Sequence, residues 1–147
     1  MALLPSVIPK WAASCYGNDE LAWQEAKRQC RTALYEWCAR REPHVYSDLI
    51  ARVTAIPWLQ GDHASGQLGY LLGQVSLEEL DATEDRPVIS SVVIARGKNE
   101  PSHGYWDFVE HELSLHVSHA GREMFWLTEL TRCFDVYGRL AGTTQQY

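Results

Sequence analysis

A run of 21 residues with apolar side chains at helical spacing is the feature that most constrains the fold of this chain. The run, LAWQEAKRQCRTALYEWCARR, places one apolar stripe on a single helical face: Trp23, Ala26, Cys30, Ala33 and Trp37, with Leu34 and Cys38 beside it. Asn18 is a good capping residue before the run, and Pro43 cannot continue a helix after it. We therefore predict a helix over residues 19–41 that buries this stripe.

Two shorter helices are predicted next. Ser47 can cap the first, and Asp62 can cap the second, DHASGQLGYLLGQV, which directs four apolar residues inward: Leu68, Leu71, Leu72 and Val75. The glycines of the second helix each weaken it by about 1 kcal/mol relative to Ala and let another group approach closely: Gly66, Gly69 and Gly73. Ser76 and Glu79 have the spacing of a capping box, which predicts a separate turn at SLEEL.

The second half of the chain predicts a strand, a loop and a closing helix. The β-branched run from Val88 to Ala95 indicates a strand, and residues 97–104 indicate a turn. Residues 105–117 fit a helix and a strand equally, so both stay open. The stretch GREMFWLTELTRCFDVYGRL predicts a helix over 121–138 with five residues facing inward: Met124, Leu127, Leu130, Phe134 and Tyr137.

This element order favours one α+β domain over residues 1–147, with residues 1–17 as an N-terminal arm and 141–147 as a flexible tail. Two short helices with a break between them, followed by a strand and a basic loop, have the order of a winged helix-turn-helix. We expect a winged helix-turn-helix-like core between long N-terminal and C-terminal helices, with a small β-hairpin or sheet.

Composition narrows the class of protein. The net charge of −6 opposes non-specific binding to phosphates, so a nucleic-acid surface would have to be a local basic face. No apolar run is long enough to span a bilayer. The four cysteines lack zinc spacing, and we expect reduced, mostly buried thiols: Cys15, Cys30, Cys38 and Cys133. These features predict a cytoplasmic protein with no cofactor and no contact with a membrane.

Residue types for hydrolysis occur near the predicted strand. A serine activated by a histidine can act as a nucleophile when the fold brings the two side chains together. No nucleophile-elbow motif is present. Because serines and histidines are nevertheless available near the predicted strand, a small intracellular hydrolase is an alternative. It predicts a concave pocket that holds at least two of five side chains: Ser90, Ser91, His103, Glu110 and His111.

A second chemical alternative is a metal site. Glu112, His116 and His119 are spaced i, i+4 and i+7, so on one continuous helix they would share a face. Two histidines and a carboxylate could then bind a transition metal. Because part of this segment also fits a strand, the primary prediction is that no metal binds.

The winged-helix layout assigns candidate binding residues to two elements. The second short helix, within residues 62–70, would present three polar side chains at its N-terminal end: His63, Ser65 and Gln67. The loop over 96–104 would act as the wing and present four more: Arg96, Lys98, Asn99 and His103. Tyr46, at the start of the preceding helix, completes the predicted contact set.

The stretches VYSDLIARVTAI, ASGQLGYLLGQV and RPVISSVVIARGKNEPSHGYW, within residues 44–108, resemble in their order the DNA-binding domain of alkylguanine-DNA alkyltransferases. That family has a T-Y-G-E-L-A-like helix, a glycine-containing recognition helix, a strand bearing Pro-Cys-His-Arg-Val and a glycine-rich wing. Tyr46 resembles the family's tyrosine. Ser91 and Val92 stand where the family has its acceptor cysteine and activating histidine, and the intercalating arginine is missing. The resemblance therefore implies a binding scaffold without alkyl transfer.

The segment RPVISSVV, followed by a glycine–aromatic pair, also resembles a group of small uncharacterised bacterial proteins. Taken together, the sequence predicts a non-catalytic binding module that contacts nucleic acid or a protein through the 62–70 helix and the 96–104 loop. Whether it is an enzyme and how many copies assemble stay open. A further alternative is an interaction subunit of a larger complex, anchored by some of its six Trp and seven Tyr.

Overall fold

The first helix, α1, spans Glu20–Arg40 and confirms the most constraining sequence prediction. Its predicted apolar stripe is buried in full. The cap is Asp19 rather than Asn18, because the Asp19 carboxylate accepts a hydrogen bond of 3.2 Å from the Ala22 amide. Arg41 ends the helix in the left-handed conformation, with φ of 57°.

The structure is a computed structural model that describes residues 14–61, 63–82 and 85–144, the last three by their backbone alone. After α1 come β1 (His44–Val45), α2 (Tyr46–Arg52), α3 (His63–Ala82), β2 (Val93–Ile94), α4 (His103–Asp107) and α5 (Arg122–Thr144). The predicted capping residue Asp62, most of the predicted N-terminal arm and residues 145–147 of the predicted tail lie outside the described residues.

The second predicted helix and the SLEEL turn are one continuous helix, α3. The four predicted inward residues are buried, but the capping box is wrong. Ser76 and Glu79 are both buried inside the C-terminal half of the continuous helix, because Leu77 and Leu80 extend its apolar face into the core. A glutamate can stay in that position because cations from elsewhere in the chain surround it.

A network of charged side chains joins α1 to the C-terminal half of α3. Glu79 accepts hydrogen bonds from Arg31 at 2.7 Å, from the Tyr35 hydroxyl at 2.8 Å, and from Arg86. Lys27 donates to Glu78 at 2.5 Å. Removing one partner from a buried group of this kind costs far more than an exposed ion pair contributes, so the network holds α1 and α3 in one arrangement. Burial, more than the nearby Glu79 carboxylate, raises the pKa of Tyr35.

The predicted strand over 88–95 is wrong in most of its length. Residues Ile89–Val92 form a 3₁₀ turn, and only Val93 and Ile94 are extended as β2. One face of α5 supplies hydrogen-bond partners to the backbone here: Trp126 donates to the Ser91 carbonyl at 2.8 Å, Glu129 accepts from the Val88 amide at 3.1 Å, Cys133 donates to the Val88 carbonyl at 3.1 Å, and Tyr137 donates to the Pro87 carbonyl at 2.6 Å. Residues 87–92 are therefore buried without a neighbouring strand.

The sheet is small and parallel. His44 is paired with Val93, and Val45 with Ile94. Of the predicted hairpin or sheet, the sheet is present, and no antiparallel strand pair occurs in the described part of the chain. The loop predicted as the wing is closed by the Ala95 amide, which donates to the Glu100 carbonyl at 2.9 Å. The coarse prediction, an α+β chain with long helices near both ends, is confirmed.

The ambiguous segment 105–117 is helical in its first half. The helix α4 continues into a π-helical turn over Phe108–Glu112, and a segment without regular secondary structure follows until a 3₁₀ turn at His119–Gly121. The closing helix α5 then runs to Thr144, so residues 141–144 of the predicted tail are helical.

The buried face of α5 agrees with the prediction at Leu130 and Tyr137 and differs from it nearer the start of the helix. Met124 and Leu127 are 70% and 41% exposed, so their predicted inward orientation is wrong. The stripe that is buried includes Trp126, Leu130, Cys133 and Tyr137. Because Glu129, Cys133 and Tyr137 bind the backbone of residues 87–88, the rotation of this helix is set by hydrogen bonds as well as by apolar burial.

Helices α1 and α5 approach each other closely at Gly138. A Cβ atom there would lie 3.2 Å from the Cys38 carbonyl oxygen and 3.4 Å from the Ala39 Cα. We expect Gly138→Val to lower the free energy of unfolding by about 1–3 kcal/mol, because its branched side chain would force these helices apart. Urea unfolding measures the change. The matched control is Gly69→Val, where a Cβ meets no atom within 4 Å; an equal loss in both variants would contradict this account.

The buried thiols predict how stability depends on pH. Burial raises the pKa of Cys30 and of Cys38 from 9.0 to about 12. The unfolded chain releases these protons first as pH rises, so the stabilisation is complete below pH 9 and is lost between pH 9 and about 12. Each thiol steepens the decline by up to about 1.4 kcal/mol per pH unit. Urea unfolding across this range should show a shallower decline for Cys30→Ala; an unchanged slope would exclude this cause.

Candidate functional site

A cleft of about 400 Å³ lies between α2, the N-terminal half of α3 and the segment that contains α4. We call it the first cleft. Its lining is mainly apolar, with hydroxyl groups and one His–Asp pair among the aromatic and aliphatic side chains. The lining residues are Tyr46, Ile50, Ser65, Gly66, Leu68, Gly69, Leu72, Gly73, Ser90, Ser102, His103, Gly104, Tyr105, Asp107 and Phe108.

Three glycines of α3 give the first cleft its depth. Gly66, Gly69 and Gly73 recur at helical spacing and all line the cleft. A Cβ atom built at Gly69 would meet no other atom within 4 Å, so this position faces open space. The prediction that these glycines let another group approach is supported by this geometry. Leu68 and Leu72 lie beside them and make the wall apolar.

Hydrogen bonds hold the opposite wall in place. The Tyr46 hydroxyl accepts a bond of 3.1 Å from the Ser102 amide, which ties α2 to the start of α4. Deeper in the protein, the Ser91 and Tyr105 hydroxyls share a bond of 2.7 Å. Burial raises the pKa of Tyr105, and the hydrogen bond with Ser91 lowers it by less. The phenol is therefore a neutral, fixed part of the wall.

A histidine and an aspartate lie at the rim of the first cleft. Nε2 of His103 is 3.4 Å from Oδ2 of Asp107, one helical turn further along α4. The His103 side chain is 84% exposed, so water surrounds most of the imidazole. This pair can donate and accept hydrogen bonds to a ligand that enters the cleft.

A second cleft, of about 650 Å³, lies on the other side of Ser102 and His103, which line both clefts. It is formed by the 95–103 loop and the N-terminal end of α5. Its lining is more polar and contains Ala95, Lys98, Asn99, Glu100, Pro101, Ser102, His103, Trp106, His119, Ala120, Arg122, Glu123 and Trp126. The two clefts together follow the α4 segment.

The predicted binding residues divide between the clefts and the scaffold. Tyr46, Ser65 and His103 line the first cleft, and Lys98, Asn99 and His103 line the second. His63 is exposed at the start of α3 and belongs to neither lining.

Gln67 and Arg96 instead make contacts within the protein. The Gln67 side chain is buried, accepts from the Leu59 amide at 2.9 Å and donates to the Pro57 carbonyl at 3.0 Å. It therefore positions the segment before α3 rather than reading a ligand. Arg96 is exposed and donates to the Ser47 hydroxyl at 3.1 Å, which ties the 95–100 loop to α2.

The residues of the hydrolase alternative are not brought into one cluster. Ser90 and His103 both line the first cleft, so the predicted pocket with at least two of the five is present. Ser91 is fully buried and bonded to Tyr105, whereas Glu110 and His111 are exposed on the π-helical turn and line neither cleft.

The predicted metal ligands are separated by a break in the helix. Glu112 ends the π-helical turn, His116 lies in the irregular segment after it, and His119 lines the second cleft. Among the described residues, no group of three or more histidine, cysteine or carboxylate side chains could hold a metal ion.

Several residues that line the clefts were not predicted from the sequence, including three with a charged or aromatic side chain. Asp107 and Phe108 line the first cleft, and Arg122 lines the second. The spacing of four residues between His103 and Asp107 was a usable signal once that segment was taken as a helix. No sequence signal placed Arg122 beside the 95–103 loop, because the two are brought together only by the docking of α5.

Comparisons with known proteins identify no relative of this chain. No family model matches the chain, no curated protein matches it, and no solved structure matches it. The resemblance to alkylguanine-DNA alkyltransferases therefore stays a prediction from sequence. Within the described residues, no helix combines the length and apolar character needed to cross a membrane.

The two neighbouring serines should respond differently to truncation. Ser91→Ala removes the partner of the buried Tyr105 hydroxyl, so we expect it to lower the free energy of unfolding by about 1–3 kcal/mol. Ser90→Ala should change it by less than about 0.5 kcal/mol, because within the described chain the Ser90 hydroxyl forms no hydrogen bond and borders the cleft. Thermal and urea unfolding measure both, and a larger loss for Ser90→Ala would contradict these assignments.

Proposed function

We propose that this protein is a non-catalytic binding module that holds an extended segment of a partner protein in the two clefts along α4. The observation that carries the proposal is that the first cleft combines the predicted contact helix, α3, with the end of the predicted contact loop, residues 102–104. An apolar side chain of the partner would enter the space beside Gly69. The hydroxyl groups and His103 at the rim would contact its backbone.

The size and lining of the first cleft support binding of an apolar group. Ligand pockets have volumes of about 300–1,000 Å³ and are mostly apolar with a few convergent polar groups. The first cleft, at about 400 Å³, meets both conditions. Because Ser102 and His103 also line the second cleft, a ligand longer than one side chain can pass from one to the other. An elongated groove suits an extended segment better than a compact molecule.

The charge of the chain favours a protein over nucleic acid as the partner. A net charge of −6 repels a polyanion at long range. Acidic side chains also lie at the clefts themselves: Asp107 at the first, and Glu100 and Glu123 at the second. A protein segment lacks the dense backbone charge that these carboxylates would oppose.

Binding is favoured over hydrolysis by how the candidate catalytic groups are arranged. Ser91, the serine with a fixed hydrogen bond, is sealed from the first cleft by burial. The His103 imidazole, by contrast, is largely surrounded by water. General-base catalysis needs a positioned histidine within hydrogen-bond reach of its nucleophile. The first cleft therefore offers an apolar surface that suits binding, whereas its candidate serine and histidine are not arranged as a catalytic pair.

Nucleic acid is the second candidate, within the predicted winged-helix interpretation. The observation that favours it is the combination of Tyr46 and Phe108 at the first cleft with Lys98 and Arg122 at the second. Aromatic side chains can stack on bases while cations contact phosphates. The parallel pairing of β1 and β2 counts against a hairpin wing, so this candidate ranks below a protein segment.

Filling the first cleft tests the proposed function. We expect Gly69→Leu to fold normally, because a Cβ meets no atom there and leucine favours helix more than glycine does. The new side chain would occupy the cleft. Peptides selected from a random display library on the wild-type protein should therefore bind Gly69→Leu at least about tenfold more weakly, a loss of about 1.4 kcal/mol. Fluorescence anisotropy of labelled peptides measures the affinity.

The matched control is Thr128→Leu, which adds the same side chain to an exposed position of α5 outside both clefts. It should bind the selected peptides as the wild type does. Equal binding by Gly69→Leu, or failure of the library to yield any binder, would overturn the proposal. Tight binding of random single- or double-stranded oligonucleotides, abolished by Gly69→Leu, would establish the second candidate instead.

A further inference from the structure

We propose that the second cleft is a binding site for an oxyanion, a carboxylate or phosphate group, held between Lys98 and Arg122. The site itself rests on the side chains of the second cleft. The proposed function enters only as a source of the ligand, since a partner segment would bring the oxyanion on an acidic or phosphorylated side chain.

The pairing of cations across the molecule points to this cleft. Lys10 lies outside the described residues, and ten of the other twelve lysines and arginines have an acidic or hydrogen-bonding partner within the protein. In the part of the chain that the structure describes, only Lys98 and Arg122 have neither. Both line the second cleft. The two cations that have no partner within the described protein therefore line the same open cleft.

Arg122 is held in a fixed position although it has no acidic partner. Its guanidinium carbon lies 4.9 Å from the centre of the Trp106 ring, which stabilises the cation by its π electrons. Its Nε atom is shielded from solvent and has no hydrogen-bond acceptor. A planar fork of donors that is already oriented suits the two oxygens of a carboxylate or phosphate. The terminal guanidinium nitrogens of Arg122 also have no acceptor among the described residues, and an arriving oxyanion would supply it.

The backbone around Arg122 adds to the positive potential of the cleft. Arg122 is the first residue of α5, a helix of 23 residues, whose N-terminal amides carry partial positive charge. His119 lies in the turn just before the helix and also lines the cleft, and His103 lies across from it. Even when it is neutral, each histidine can donate one hydrogen bond to an anion.

Two carboxylates limit the site. Glu100 and Glu123 also line the second cleft, and both are exposed to solvent. Neither forms an ion pair with Lys98 or Arg122 among the described contacts. Their charge opposes a second anion, so the site should be selective for one compact group with directional contacts rather than for a polyanion. This distinguishes it from a general phosphate-binding surface.

NMR titration of the full-length, ¹⁵N-labelled protein with inorganic phosphate tests the site. At constant ionic strength we expect saturable shifts of the Arg122 side-chain resonance and of amides in 98–103 and 119–123. Arg122→Gln should raise the Kd for phosphate at least about tenfold, the loss expected for a charge-assisted hydrogen-bonded contact. Lys98→Gln, on an exposed loop where folding is not at stake, should raise it about threefold or more.

The control is Arg139→Gln on the same helix, about 25 Å further along its axis, which should bind phosphate as the wild type does. Arg122→Gln and Lys98→Gln both binding within twofold of the wild type, or shifts that map away from the cleft, would overturn the proposal. Gly69→Leu should bind phosphate normally, so loss of the oxyanion site and loss of the first cleft are separable results.

A parallel titration with acetate distinguishes the two sources of oxyanion. Binding of acetate as tight as that of phosphate would assign the site to carboxylates, and hence to acidic side chains or a C-terminus of the partner. Binding of phosphate alone would assign it to phosphorylated side chains. Peptides selected on the wild type should carry the corresponding group, and their affinity should fall in Arg122→Gln.

Discussion

The structure depends on the hydrogen bonds that α5 makes to the backbone of residues 87–91. This segment passes through the core without strand neighbours on both sides, so its amide and carbonyl groups need other partners. Four side chains at helical spacing provide them: Trp126, Glu129, Cys133 and Tyr137. Because these contacts set the rotation of α5 and the path of the segment together, they place Ser91 in the core and leave Ser90 beside the first cleft.

The charged network around Glu79 performs the corresponding task for α3. It fixes the C-terminal half of that helix against α1 and against Arg86 at the start of the buried segment. The N-terminal half then extends beyond the network, and its glycines face the space opposite α4. The first cleft is thus the region where the glycines of α3 border open space. The charged contacts of Glu79 lie at the opposite, C-terminal end of the helix.

The helices with the clearest apolar periodicity are also those whose buried faces the sequence predicts most accurately. The stripes of α1 and of α3 were predicted residue by residue, because apolar spacing on an amphipathic helix is a local property. The run over 88–95 was misread because β-branched composition indicates burial as well as strand structure. The predicted face of α5 is correct at Leu130 and Tyr137 but wrong nearer the start of the helix. Glu129 faces inward there because it accepts from a backbone amide 41 residues away, and no local pattern reports such a contact.

Apolar spacing along the chain is enough to predict α1, α5, the buried stripes of α1 and α3, and the two segments from which the clefts are built. Which polar residues face those clefts depends on how the helices dock. Gln67 became a buried support and Arg96 a link to α2, whereas Arg122 joined Lys98 across a solvent-filled space. Helix formation and apolar burial follow from residues three and four positions apart, so a local stretch of sequence is enough to predict them. The neighbours of a polar side chain depend instead on how elements distant in the chain dock against each other.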